Sequence, residues 1–323
     1  MPTTANLLDV IKDTSADPAM KIIDEASQAV PEVRDGFWLE MPTPYKQEVL
    51  VELPKAGHFR KFGQGVKKGK AKYVERLVEA LPIQVAWDAD YQQGMRYNRG
   101  GIDGLLAKRA AENIAGEFQA LGPTFFYGRP GDENELPFPG LTSLYDRDDF
   151  EVDAGGSEAD SATSVWFVKW GPEDTAWVIN DTDRNGSGDS VDPFTLSVPR
   201  EETIYDANGD GFLGKRQELL ADIGLQVASK RSVARIKNIT GPGIESDNDH
   251  GVTDNLLRKA VRIFRENGGF MPDRIYMSPR SLDQWTESRT AHNATGAPAP
   301  TPEQFEGIPV TETNSVSNTE AIE

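Results

Sequence analysis

The sequence predicts an α+β fold, and three observations carry that prediction. A long amphipathic helix lies between Ile102 and Leu121. A nearly unbroken apolar run, Ser164 to Trp170, reads as a strand of a sheet buried on both faces. Two further strand-like stretches, around Val49 to Leu53 and Leu81 to Trp87, bracket a glycine- and lysine-rich segment. That arrangement reads as a long hairpin projecting from the body.

The first 35 residues are short helical pieces with no core of their own. Leu7, Leu8 and Ile11 form one apolar stripe. Asp17-Pro18 starts a second helix, Ile22, Ile23, Ala26 and Val30 follow, and Pro31 is expected to stop it. Such a segment must dock on something else to stay ordered, and it reads as an arm.

In the hairpin, Val49, Val51 and Leu53 alternate with Leu50, Glu52 and Pro54, a strand ended by proline. Glycines at 63, 65 and 69 then interleave with basic residues. From Tyr45 to Leu77 nine Lys or Arg stand against three Glu, so the tip is basic in a chain that is otherwise acidic.

The long helix repeats Ile102, Leu106, Ala110, Ile114, Phe118 and Leu121 at three- and four-residue spacing. Lys108, Arg109, Glu112 and Glu117 take the other face. Gly122-Pro123 is the expected stop, which makes the helix a rod of roughly 30 Å. After a Gly- and Pro-rich loop (128–140), strands are expected at Ser164 to Trp170, at Ala176 to Ile179, and as one run from Gln226 to Ile239. Leu256, Leu257, Ala260, Val261 and Phe264 define a helix closed by Asn267-Gly268-Gly269. A strand at Arg274 to Met277, a helix from Ser278-Pro279 through Trp285, a loop over 292–302 and a strand at Ile308 to Thr311 complete the reading.

Composition excludes several kinds of chemistry. With no cysteine there is no disulfide framework, thiolate metal site or cysteine nucleophile. No stretch approaches the roughly 20 apolar residues that span a bilayer. Met1 to Val10 lacks the basic-then-apolar pattern of a signal peptide, so a cytosolic product is expected. A formal net charge of −18 argues against a broad basic surface for nucleic acid.

Two segments invite a calcium reading. Asp181, Asp183, Asn185, Gly186, Ser187, Asp189 and Asp192 fall at positions 1, 3, 5, 6, 7, 9 and 12 of a calcium loop, where alternating oxygen ligands suit a hard cation. Asp206, Asn208, Asp210 and Gly211 match less fully, with Gln217 in the twelfth place. The competing reading is that Asp, Asn and Gly gather in tight turns, and it is preferred for both. An ion bound here would brace a loop rather than do chemistry. His58, His250 and His292 each stand in a polar or glycine-rich loop and read as solvated. No G-x-S-x-G, H-E-x-x-H or G-x-x-x-x-G-K-[ST] is present. No catalytic residue and no cofactor is therefore expected. The basic residues Arg60, Lys67, Lys68, Lys70, Lys72 and Arg76 could meet phosphate or stay solvated. A third reading fits better: they lie on the acidic surface of the next identical chain, a head-to-tail contact between copies.

The ordered motifs resemble the major capsid proteins of tailed phages with the Hong Kong 97-type fold. They are Leu53-Pro54 with Arg60 and Gly65, Trp87-Asp88-Ala89-Asp90, Phe126-Tyr127-Gly128, Phe138-Pro139-Gly140-Leu141 and Gly155-Gly156. Ser164 through Gly171, Val233 through Ile239, Gly307-Ile308-Pro309-Val310 and Thr319-Glu320-Ala321 continue the set. Gln64 departs from the Asn expected before the loop glycine. The resemblance implies an N-terminal arm (1–40), an E-loop hairpin (41–92) and a spine helix with peripheral-domain strands (93–180). It further implies an inserted acidic loop or small domain (181–224), return strands (225–249) and an axial domain with the C-terminal strand (250–323). Its implied role is a head subunit that self-assembles into hexamers and pentamers around double-stranded DNA, enclosed without sequence-specific binding. Portal, scaffolding and decoration proteins are the implied partners, with no membrane, in a virion capsid assembled in the host cytoplasm. The alternative is a calcium-braced surface or adhesion module built on the Asp181–Asp192 loop.

Overall fold

A computed structural model describes residues 30–52, 54, 59, 61–65, 69–129, 138–144, 150–180, 194–206, 208–229, 231–240, 250–268, 271–291 and 298–322. Of the arm expected over residues 1–40, residues 1–29 lie outside them, as do the Asp181–Asp192 loop, His58 and His292.

The chain opens with a short helix, α1 (Pro31–Asp35), and a strand, β1 (Trp38–Met41). Pro31 opens α1, where its fixed φ and missing N–H suit a first turn; the helix expected before it lies outside the described residues. The hairpin is β2 (Tyr45–Glu52) with β3 (Lys72–Val78), antiparallel, Tyr45 opposite Val78 and Leu50 opposite Tyr73. It feeds β4 (Leu81–Asp90), α2 (Tyr91–Arg96) and the long helix α3 (Gly101–Tyr127). Next come α4 (Leu141–Leu144), β5 (Glu151–Asp153), β6 (Thr163–Val168), β7 (Thr175–Asn180), β8 (Phe194–Leu196), β9 (Arg200–Tyr205), β10 (Gly211–Val227) and β11 (Val233–Ile239). The remainder is α5 (Asp254–Gly268), β12 (Arg274–Met277), α6 (Pro279–Ala291), β13 (Gln304–Phe305) and β14 (Ile308–Glu312).

The first sheet is organised by β10. Along one edge it pairs antiparallel with β4, Gly214 opposite Asp90 and Ile223 opposite Leu81. Its residues 211–216, 219–221 and 223–227 also pair with β9, β8 and β7 in turn. Since β4 already occupies one edge over 214–223, those three strands must lie end to end along the other. β1 then adds to β7 in parallel. The run expected from Gln226 to Ile239 is therefore two strands, broken where the Ser229 carbonyl accepts from both Ser232 N–H and Ser232 Oγ. β10 runs unbroken through residues 224 and 225, where the sequence suggested a division.

The second sheet has the order β13-β14-β12-β6-β11-β5. Its central strand β6 is fully buried on both faces, as its apolar run implied. Trp166 and Val168 point into a core shared with α3 and the first sheet. Val165 and Phe167 point the other way, into a core built by Leu257, Val261 and Phe264 of α5 and Trp285 of α6.

Helix α3 does not stop at Gly122-Pro123. It continues to Tyr127 because Phe125 and Phe126 are both fully buried, Phe125 stacked on Trp170 at 5.6 Å and Phe126 packed on Trp166 at 5.8 Å. An interior proline costs a helix about 3 kcal/mol. Burying two phenylalanines returns roughly 2–3 kcal/mol each, so packing wins.

Candidate functional site

The candidate sites are the surfaces the chain leaves exposed and the joints that aim them. The hairpin leaves the body beside β10. Between β3 and β4 the chain crosses Gly224, where a Cβ would stand 2.4 Å from the Glu79 carbonyl oxygen. Only glycine admits that crossing. Tyr45 Oη donates to Gln226 Oε1, and Gln226 Nε2 donates to the Pro172 carbonyl at 2.9 Å. Partial burial pushes the Tyr45 phenol up to about 12, so it stays a donor throughout the neutral range. Arg76 Nη1 donates to the Leu144 carbonyl. Arg76 thus sits at the root of the hairpin, opposite Gln47, tying it to its own body; the structure does not place it at the tip.

Of the other basic residues expected there, Lys72 opens β3 opposite Glu52, and Lys70 is exposed just before it. Arg60, Lys67 and Lys68 lie outside the described residues. Phe59 and Phe62 are fully exposed at the tip. Tyr73 and Leu77 are exposed on one face of the shaft, with the Lys46–Glu75 ion pair (2.8 Å) between them. That pair is solvated and contributes little to stability. These large apolar side chains are exposed close together, which makes the hairpin a candidate contact surface.

The spine helix is pinned at its start. Arg109 meets the Asp88 carboxylate at 3.2 Å and Gln93 at 2.8 Å, and Lys215 of β10 meets Asp103 at 2.7 Å. Its far end meets a buried polar cluster. Glu320 accepts from Tyr127 Oη, from Ser164 Oγ and from Arg235 Nη2, the last at 2.8 Å. Arg235 also lies 3.6 Å from Glu151 and 5.2 Å from the centre of the Trp166 ring. Burial first, then the neighbouring Glu320 carboxylate, pushes the Tyr127 hydroxyl well above its ordinary pKa and keeps it protonated. The sequence reading singled out Glu320 and Arg235 within motifs but assigned them no role. A buried charge pair far apart in sequence leaves no local signal.

The second calcium candidate is a turn. Asp206 Oδ1 accepts from the backbone N–H of Asn208 and Asp210, and Gly209 takes φ +88°. Those amides hold the Asp206 carboxyl below its usual range. Gln217, the twelfth position, lies inside β10 and donates to the Ser197 carbonyl, about 20 Å along the strand from the turn. Among the described residues no three His, Asp or Glu side chains gather as a metal cluster would. His250, expected in solvent, is half-buried, and its Nδ1 bonds the Ala154 carbonyl at 2.8 Å. A cleft of about 380 Å³ between α5 and α6 is lined by Thr253, Asp254, Arg258 and Arg289. Asp254 there already accepts from Trp285, and Arg258 already bonds Glu306.

A projecting hairpin, a long helix laid on one sheet, and a second sheet backed by two helices define the Hong Kong 97-type architecture of phage shell subunits. The chain overlays a structure of bacteriophage Epsilon15 with a TM-score of 0.62 at 20% identity, over 89% of this chain and 87% of that one. The bacteriophage JBD30 capsid aligns at 11% identity and a TM-score of 0.47, over 87% and 88% of the two chains. The JBD30 capsid decorated with minor capsid protein trimers aligns at 10% and 0.48, over 88% and 90%. No curated protein sequence matches. The model of the family "Major capsid protein GP7" matches residues 14–322, and the chain belongs to that family. The alternative of an adhesion module finds no support in these matches.

Proposed function

We propose that copies of this chain assemble into hexamers and pentamers that tile an icosahedral shell around double-stranded DNA. The shaft of the E-loop hairpin crosses the spine helix α3 of the neighbouring copy, and the N-terminal arm ties adjacent subunits. Many weak contacts, repeated around every subunit, add to a stable shell by multivalency. Assembly takes place in the host cytoplasm, and portal, scaffolding and decoration proteins complete the particle. DNA is enclosed without being read, which suits a net charge of −18. No catalytic step and no cofactor enters this reading.

The observation that carries it is the hairpin itself: aromatic side chains at Phe59 and Phe62 stand clear of the subunit's own surface. The test is charge reversal at Lys67, Lys68, Lys70 and Lys72 together. The expected variant keeps the far-ultraviolet circular dichroism and melting temperature of the parent yet forms no particles by negative-stain microscopy. Normal particles would overturn the assigned role.

A further inference from the structure

Residues 1–29 join the described structure at Val30, so α1 and β1 are the joint that holds that segment to the body. β1 is the outer strand of the first sheet and pairs with β7 alone among the described strands. It can therefore part from the sheet without breaking a second pairing. Val30 and Val33 seat the joint in the first core, and the Trp38 ring stacks on Trp177 at 5.4 Å. Two indoles complete it: Trp177 Nε1 donates to the Glu32 carbonyl at 3.1 Å, and Trp38 Nε1 to the Val33 carbonyl at 3.3 Å.

Into this joint the sequence places a carboxyl. Glu32 is 0% exposed, and Thr313 Oγ1 donates to its Oε1 from the segment after β14. Ser315 faces it from the same segment, and Oε2 meets no donor among the described residues. The nearby guanidinium groups bond Asp35 of α1: Arg34 at 2.9 Å and Arg274 of β12 at 3.5 Å. Tyr276 of β12 faces the same space, and burial keeps its hydroxyl protonated. α3 and β7 meet the joint through Gly122 and Trp177, which carry no charge. An ionised carboxylate in that setting has lost its water and gained one hydroxyl bond, so its charge is costly to keep buried.

We propose that Glu32 is a proton-controlled latch: protonated, it seats α1 and β1 on the body, and ionised, it favours a state in which they part from β7 and the 313–316 segment while the rest of the two sheets stays folded. The latch belongs to the single subunit and is independent of the assembly reading above. Burial raises the carboxyl of the seated form above the ordinary carboxylate value, and the parted form regains the ordinary one. Seating is therefore complete below the ordinary value and is lost as pH rises through the raised one. Across that window the parting equilibrium grows about tenfold per pH unit, and above it the equilibrium levels off. One proton thus sets how freely the N-terminal segment can change direction.

The test is amide hydrogen exchange on the full chain and on its Glu32→Gln variant, from about pH 5 to about pH 8. At residues 38–41 the ratio of parent to variant exchange rates should rise at least about tenfold from acid to neutral pH. Exchange at 38–41 should also outpace exchange at 217–221, where β10 is held by β4. Both results together support the latch. A ratio that stays flat with pH overturns it. So does exchange at 38–41 as slow as at 217–221, because the joint then opens only with the whole molecule. Should Glu32→Gln lose its fold, Thr313→Val is the substitute. Removing that donor should carry the pH-dependent rise to higher pH, and a profile equal to the parent's overturns the proposal.

Discussion

Glu320 accepts a hydrogen bond from Arg235 at 2.8 Å, with the two side chains 7% and 3% exposed. The carboxylate joins the segment after β14 to β11, to Ser164 of β6 and to Tyr127 at the end of the spine helix. A buried ion pair is costly to break from one side, because the charge left behind has lost its water. Glu320→Ala should destabilise the subunit by about 3 kcal/mol, since Glu151 at 3.6 Å only partly compensates Arg235. Urea unfolding followed by circular dichroism measures this. A loss below about 0.5 kcal/mol, the size expected at an ordinary surface site, would show the cluster to be dispensable.

Glu32 of α1 makes the stability pH-dependent. Its carboxyl is fully buried, one oxygen accepts from Thr313 Oγ1, and the other meets no hydrogen-bond donor among the described residues. Burial raises its pKa above the ordinary carboxylate value. The folded state therefore holds this proton more tightly than the unfolded state does. The stability Glu32 contributes is complete below the ordinary carboxylate pKa and is lost as pH climbs through the raised one. Glu32→Gln should remove that loss, so the melting-temperature difference between variant and parent should widen from acid toward neutral pH. A difference that stays constant with pH would contradict the assignment.

Gly224→Ala should disturb the root of the E-loop. The added methyl meets the Glu79 carbonyl oxygen at 2.4 Å and Ala80 Cα at 3.2 Å, both backbone, so neither can swing aside. The expected cost is about 2 kcal/mol, with reduced assembly. Gly65→Ala is the control, because nothing lies within 4 Å of its Cβ position. Melting curves on the pair check the contrast, and equal values would rule out the crossing as a constraint.

Calcium should leave the subunit unchanged. Adding a chelator or millimolar calcium should move the melting temperature by less than about 1 °C, since only an ion bound to the folded state stabilises it. A shift of several degrees would instead assign an ion to the Asp181–Asp192 loop.

Elements with a strong period were legible in the sequence. The 3–4 spacing from Ile102 to Leu121 gave α3, and the unbroken apolar run at 164–170 gave a strand buried on both sides. Local signals misled where distant packing decided. Pro123 reads as a stop, yet the pocket formed by Trp166, Trp170 and Trp177 draws Phe125 and Phe126 on for another turn. β10 was invisible as one strand because its exposed first half and buried second half have different periods. Arg76 looked like part of the basic tip by proximity in sequence, while the register sets it four pairs further down the shaft than Lys72. The Glu320 cluster needs a fold before its members meet.

The double use of β6 has a mechanical consequence. Trp166 and Val168 belong to one core, Val165 and Phe167 to the other, along six consecutive residues of one strand. A party wall of that kind leaves the two halves no seam along which to slide. Curvature demanded of a closed surface must then be absorbed by the appendages at its margins, and the slab between them acts as a stiff tile.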